Sequence, residues 1–509
     1  MNAGTGPGET LNAVLAGGQP SAVALVSPED DQALTYADLA GRVEALARLL
    51  AGAGVRRGDR VAVALPNGPE CVEVLLAIMW LGAAAAPLNS AYTESEFAFY
   101  LGDIAPRLLV TLPGQPRAAI SAAAAAGAPA LALITRTGGP AGLEAGGEAV
   151  RPAASAEPGE AGDIGLVLHT SGTTSRPKQV PLLQRNLMAS VRTVAAHYGL
   201  GPDDVSFSAM PLFHIHGLVA STFAALSAGG TVVVPRRFTP QRFWRQARDH
   251  QATWLSAGPT MHTMILDKID ADGPPASLRF TRSCSSALSP ALLERAEAAY
   301  GVPMLEAYGM TEASHQMASN PLPPADRIPG SVGVATGTEI GITDASGALL
   351  PAGSPGEVVI RGPGVMSGYV NNPQATAESF WGDWFRTGDR GVLRDGYLYL
   401  EGRIKEMILR GGENISPAEI EQVLLAHPAV ADAVCFGLAD EKYGELPAAA
   451  VTLSQDIPVA DLTGFCRERL AAFKVPARVW VLAEIPRTPT GKVQRRRMAE
   501  FVADRQPAR

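Results

Sequence analysis

The chain runs to 509 residues, 47% hydrophobic and 18% charged, with a formal net charge of −8. At roughly 100–200 residues per domain, that length predicts two to four subdomains in a soluble globular protein. The negative balance argues against a nucleic-acid partner, which needs a basic face, and the one basic run, residues 492–497 (KVQRRR), reads by itself as a solvated helix face.

Four cysteines, Cys71, Cys284, Cys435 and Cys466, lie far apart without a CxxC pair. Neither a zinc framework nor a disulfide framework is expected, and reduced thiols suit a cytoplasmic location. The N-terminal MNAGTGPGETLNAVL has no basic n-region and no long apolar core, so no secretory signal is read. Taking the chain in order, Thr35 caps a helical pattern with Leu39, Val43, Leu46, Leu49 and Leu50 on one stripe. RVAVALP (60–66) reads as a strand, followed by a helix from about Pro69 to Leu81. The longest apolar run, 74–86, is far short of the ~20 residues that span a bilayer and reads as a buried helix. Residues 114–162 are rich in Ala, Gly and Pro and only weakly periodic; AASAEPGEAG at their end reads as a loop. A strand over 164–169 then enters HTSGTTSRPKQVPL (169–182).

Small and hydroxyl residues let backbone N–H groups converge on an anion. Gly172 permits close approach, Ser171, Thr173 and Thr174 add donors, and Arg176 and Lys178 add charge. This is a phosphate cradle without the GxxxxGK[ST] spacing of a Walker A loop. Farther on, the segments near 355–400 (GEVVIRG, GYLYLEG) are short and β-like. After Gly402 the chain becomes charged (RIKEMILRGGENISP) and begins a fresh βα pattern, which marks a domain boundary.

These segments resemble, in order and over nearly the whole chain, the motifs of the adenylate-forming superfamily of acyl-CoA synthetases, peptide-synthetase adenylation domains and luciferases. The matching stretches are TSGTTSRPK, PLFHIHG (211–217), EAYGMTE (306–312), GEVVIRGPGVMSGY (356–369), FRTGDRG (385–391), GRIKE–GGENISP (402–417) and PTGKVQRR (489–496). The resemblance implies an α/β fold: a large N-terminal domain of layered α/β and β subdomains (1–402), a hinge at 403–405 around Lys405, and a small mobile C-terminal α/β domain (406–509). It implies an acyl-adenylate made from a carboxylate and ATP, and then, in most members, a thioester with coenzyme A.

By the same resemblance, Thr170, Ser171, Gly172, Thr173, Thr174 and Lys178 hold the triphosphate. Glu312 holds Mg²⁺ with Thr173 or Thr174 near it, and Thr311 belongs to the same nucleotide site. Tyr308 stacks on adenine, while Asp389 and Arg403 take the ribose. Lys492 bridges the carboxylate and α-phosphate, and Gly411 and Gly412 line the pantetheine tunnel. Glu312, Thr174, Lys492 and His214 form the catalytic set. Two positions depart from the common pattern: Ser175 and Gln179 each stand where a Gly is usual.

For the acid, His214 and His216 in PLFHIHG, His315 after the YGMTE motif, and Ser285 and Ser286 in RSCSSALSP suit a small polar acid better than a long acyl chain, because histidines facing an apolar tail would be desolvated without recompense. Imidazole and hydroxyl donors suit a second carboxylate. The combination HTSGTTSRPK, PLFHIHGL, RSCSSAL, EAYGMTEASH and SNPLP resembles oxalate–CoA ligases, which implies that His214, Ser285 and His315 form the substrate pocket, with Ser285 and His315 on the distal carboxylate. Malonyl-CoA synthetases typically carry an Arg where Ala307 stands. Two other readings stay open: an aryl acid, or nitrite activated for ATP-dependent diazotisation of an aryl amine without coenzyme A. A non-catalytic nucleotide-binding protein is disfavoured because Lys492, Glu312, Asp389 and Arg403 are all present. The sequence leaves the oligomeric state open.

Overall fold

The structure, a computed structural model, describes residues 9–135, 141–170, 177–411, 413–487 and 493–507. Among these residues the strands form three sheets. The largest contains a parallel run of Val23–Ser27, Thr231–Val233, Val205–Phe207, Trp254–Ala257, Phe280–Ser283 and Met304–Met310. It turns antiparallel at His315–Ser319 and continues into the meander of Gly356–Arg361, Trp384–Arg394 and Tyr397–Arg403. The second sheet has a parallel centre of Ile164–His169, Ala84–Pro87, Arg60–Ala64, Leu108–Thr111 and Ala130–Ile134, with Gln179–Leu183 antiparallel at one edge. Parallel strands need crossovers, and helices supply them, which is the physical content of the alternating pattern in the sequence.

Local chemistry starts the elements where expected. The Thr35 side chain accepts from Asp38 N–H and the Asp38 carboxylate takes the Thr35 N–H, a full capping box for helix Tyr36–Gly52. Helix Pro69–Trp80 begins at a Pro, and nearly every residue in it is buried, because it lies in the main core with strands of both large sheets. The apolar run 74–86 is therefore only partly the buried helix that its composition predicts: the helix ends at Trp80, Gly82 turns the chain at φ +68°, and Ala84–Pro87 is an inner strand. A continuously apolar run is compatible with either element, and the glycine decides where one gives way to the other. The weakly periodic region also holds a helix, Arg117–Ala125, and three strands before the loop.

After Ile408 the chain forms its own sheet, in which Gly444–Leu453 is central. Alternate residues of Val430–Asp440 feed two small cores: Ala433 and Cys435 pack with Ile420 and Leu424, while Val434 and Phe436 pack with Trp480 and Met498. Among its described residues the basic run is solvated only in part: Arg496 and Arg497 are exposed, and Arg495 is not. Arg495, Arg496 and Arg497 make one 3₁₀ turn. Arg495 is half-buried between Glu406, 2.9 Å away, and Glu421, and Arg496 donates to the Lys405 carbonyl at 2.9 Å. Tertiary placement of two carboxylates converts a surface-looking arginine into an anchor. Among the described residues, no helix is long and apolar enough to cross a membrane.

Candidate active site

The site lies at the C-terminal ends of the parallel strands, where open α/β sheets bind ligands. Residues 171–176 are outside the described residues, so the placement of Ser171, Gly172, Thr173 and Thr174 is not described; the same holds for Gly412 and Lys492. The base of the phosphate segment is defined. Thr170 N–H donates to the Lys178 carbonyl at 2.9 Å, and Lys178 N–H donates to Thr170 Oγ1 at 3.1 Å, closing the hairpin beneath it.

Gln179, unexplained from sequence, is buried and ties this hairpin to its neighbours. Its Nε2 donates to the carbonyl and carboxylate of Asp103 at 2.7 and 2.8 Å, and its Oε1 accepts from Arg60 at 3.3 Å. Asp103 also pairs with His169 at 2.8 Å. A glycine here would leave the base of the segment without those ties.

Lys178 Nζ sits 4.5 Å from the centre of the Tyr369 ring, and Tyr369 Oη donates to Glu312 Oε1 at 3.1 Å. Glu312 is on the short 3₁₀ turn Thr311–Ala313, which brings Thr311 beside it. A cation, a phenol and a nearly buried carboxylate thus converge near the phosphate segment. Glu312 offers the hard oxygen that Mg²⁺ prefers alongside substrate phosphates. On the preceding strand, buried Tyr308 donates its hydroxyl to Asp389, and Asp389 Oδ1 pairs with Arg403 Nε at 2.7 Å. Burial, with the Asp389 charge beside it, pushes the Tyr308 phenol well up, so it stays a donor. Tyr308, Asp389 and Arg403, assigned to one nucleotide from distant motifs, do meet.

The third group follows on the same hairpin. His315 opens strand His315–Ser319 and is buried. His216 begins a π-helical stretch, His216–Phe223, a geometry frequent at functional sites. Its Nδ1 lies 3.0 Å from Ser285 Oγ and its Nε2 lies 2.6 Å from Ser256 Oγ, so its partners are side chains rather than backbone. The His216 and His315 rings are 5.0 Å apart. His214, half-buried, accepts the His216 N–H at 3.2 Å through Nδ1. Ser285, Ser314 and His315 hold φ of +78°, +54° and +106°, a conformation costly for non-glycine residues and common where function fixes it. Ser286 is exposed.

Sequence reasoning missed the centre of this cluster. Arg282 is completely buried. It donates to Tyr198 Oη (2.8 Å), Ser256 Oγ (2.8 Å), Gln316 Oε1 (3.0 Å) and His216 Nε2 (3.1 Å), and approaches His315 Nδ1 at 3.5 Å. Among the described residues no carboxylate pairs with it. Burial and the Arg282 charge both press the two histidines well below their usual pKa, so both are neutral. The signal was available: Arg282 shares strand parity with buried Phe280, so the alternation aims it inward. Tyr369, inside a quoted motif, was also passed over. Gly411 follows strand Ile408–Arg410 of the third sheet at φ +59°, and its N–H donates to the Tyr443 carbonyl at 2.7 Å.

Two family models match the chain: AMP-binding enzyme over residues 14–370 and AMP-binding enzyme C-terminal domain over residues 419–492. The oxalate–CoA ligase of Arabidopsis thaliana is 44% identical, covering 93% of this chain and 94% of its own. The sulfoacetate–CoA ligase of Cupriavidus necator is 39% identical, covering 97% and 99%. Among solved structures, the o-succinylbenzoate coenzyme A synthetase of Bacillus subtilis in complex with ATP and magnesium ion is similar at TM-score 0.83 and 31% identity, covering 95% of this chain and 98% of that one. Nothing in these comparisons supports nitrite activation. With these matches over nearly its whole length, the chain belongs to the AMP-binding, adenylate-forming family, as an ATP-dependent, AMP-forming acid–thiol ligase that uses Mg²⁺ and coenzyme A.

Proposed function

We propose that this enzyme activates a small acid carrying a second anionic group, with oxalate as the leading substrate, and passes the acyl group to coenzyme A. The observation that carries this reading is the buried cluster of Arg282, His216, His315 and Ser285: a permanent cation and neutral donors, with no carboxylate to balance them among the described residues. A long acyl chain or a plain aryl ring would leave that charge uncompensated. The printed activities of the Arabidopsis and Cupriavidus relatives, on oxalate and sulfoacetate, are both of this chemical kind.

In the proposed reaction one carboxylate oxygen attacks the α-phosphorus of ATP and pyrophosphate leaves. Glu312 would hold Mg²⁺, which would lower the charge of the phosphates. Lys178 neutralises the triphosphate, Tyr308, Asp389 and Arg403 fix the nucleoside, and Lys492 holds the two anions in line. The thiolate of coenzyme A then attacks the acyl carbon and AMP departs. We assign the large domain to residues 1–402 and the small one to 406–509, turning about Lys405 between the half-reactions.

The test is acid-dependent pyrophosphate release with oxalate, sulfoacetate, malonate, acetate, octanoate, a cinnamate and nitrite, each with and without coenzyme A. Oxalate or sulfoacetate should give the highest kcat/KM and a thioester only with coenzyme A. Preference for octanoate, a cinnamate or nitrite would overturn the reading. Lys492→Ala should stop pyrophosphate release while ATP still binds; full activity would remove its assignment.

A further inference from the structure

Arg282 is surrounded by groups whose hydrogen positions it dictates. A guanidinium can only donate. Its Nη1 lies 3.1 Å from His216 Nε2 and 2.8 Å from Ser256 Oγ, and that hydroxyl lies 2.6 Å from the same nitrogen. With a donor-only guanidinium at 3.1 Å, Nε2 is placed to accept, from Arg282 or from the Ser256 hydroxyl, whose oxygen accepts from Arg282. That arrangement leaves the His216 proton to Nδ1, with Ser285 Oγ at 3.0 Å as its acceptor. Ser285, occupied as an acceptor, is left with its own O–H to donate outward. His315 follows the same logic. Its Nδ1 faces Arg282 Nη2 at 3.5 Å, so its proton sits on Nε2, and the partner of that nitrogen is the thiol of Cys284 at 4.0 Å, a weak acceptor.

We propose that Arg282 is a positioning residue for acid specificity, fixing His216 as its Nδ1–H tautomer and His315 as its Nε2–H tautomer so that Ser285 O–H and His315 Nε2–H are the donors offered to the distal anionic group of the acid. This rests on the reading above that the acid has such a group. The anion supplies the counter-charge that Arg282 lacks among its described partners, delivered through the two relays. An uncharged terminus accepts the same donors but leaves the guanidinium unbalanced, so the device selects for charge rather than for shape. The positive φ at Ser285 and His315 aligns both donors with the relay at a local conformational cost.

The test has two arms. Wild-type protein with ¹⁵N-labelled histidine reports tautomers directly through nitrogen chemical shifts; there are 8 histidines, and His216→Gln and His315→Gln assign the two signals. The expected result is neutral rings near pH 7, protonated at Nδ1 in His216 and at Nε2 in His315. The opposite tautomer on either ring, or a charged ring, overturns the proposal whether or not any variant folds.

The second arm measures Arg282→Gln and Arg282→Lys with oxalate and acetate. Arg282→Gln should raise KM for oxalate by roughly 30-fold or more, the size of a lost charge-assisted interaction, with KM for ATP within about twofold and the effect on KM for acetate at least tenfold smaller than that on oxalate. Arg282→Lys should recover only part, because a point ammonium cannot serve the forked set of acceptors. Equal losses for oxalate, acetate and ATP would show a structural role and overturn the proposal. If wild-type enzyme ignores every dianion, the substrate reading fails, and the tautomers still judge the relay.

Discussion

Asp389→Asn tests the nucleotide half of the site with almost no change in shape. Asp389 is nearly buried, takes the Tyr308 hydroxyl and pairs with Arg403 Nε at 2.7 Å. In the proposed complex it also accepts the ribose hydroxyls. Hydrogen bonds to a charged acceptor contribute about 1.5–3 kcal/mol against about 1 kcal/mol for neutral ones, so neutralising the carboxylate should cost on the order of 2–3 kcal/mol of ATP binding over two bonds, or roughly 30- to 150-fold. The amide nitrogen would also face either Arg403 or Tyr308 as a second donor. Arg403 is half exposed, so loss of the pair itself should change stability little. Steady-state kinetics with one substrate saturating separate the effects: KM for ATP should rise by that factor, while KM for the acid stays within about twofold. An unchanged KM for ATP, or equal rises for ATP and acid, would refute the assignment of this triad to the nucleoside.

Two further outcomes are expected. Glu73 is buried in helix Pro69–Trp80, 3.6 Å from Arg42, and burial raises its pKa from 4.5 to about 7. A carboxyl protonated more tightly in the native state loses stability for the fold as pH climbs from about 4.5 to about 7, on the order of 3 kcal/mol in all. Glu73→Gln should therefore unfold like wild type near pH 4.5 and at higher temperature than wild type at pH 8; parallel pH curves would contradict this. Gln179→Gly should remove three hydrogen bonds at the base of the phosphate segment, roughly 2–3 kcal/mol of local stability, and raise KM for ATP several-fold at little cost to saturated kcat. An unchanged KM for ATP would make Gln179 incidental.

By itself the sequence determined the class of chemistry and most local structure. Thr35 with Asp38 fixes a helix start through a four-residue hydrogen-bond pattern, and alternating apolar and helical segments fix a layered α/β plan, because both signals are local. Motif order named Tyr308, Glu312, Asp389 and Arg403 before their contacts were known. What tertiary structure alone decided involves partners far apart in the chain. Whether 74–86 stays helical depends on the turn at Gly82 and on sheet space for Ala84–Pro87. Arg495 reads as surface until Glu406 and Glu421 close on it from 89 and 74 residues away. Arg282 reads as one more charge until Tyr198, His216, Ser256, His315 and Gln316, drawn from four distant stretches of the chain, surround it. Local propensity is written into neighbouring residues, whereas the electrostatic state of a buried charge is set by whichever groups the fold brings within a few ångströms.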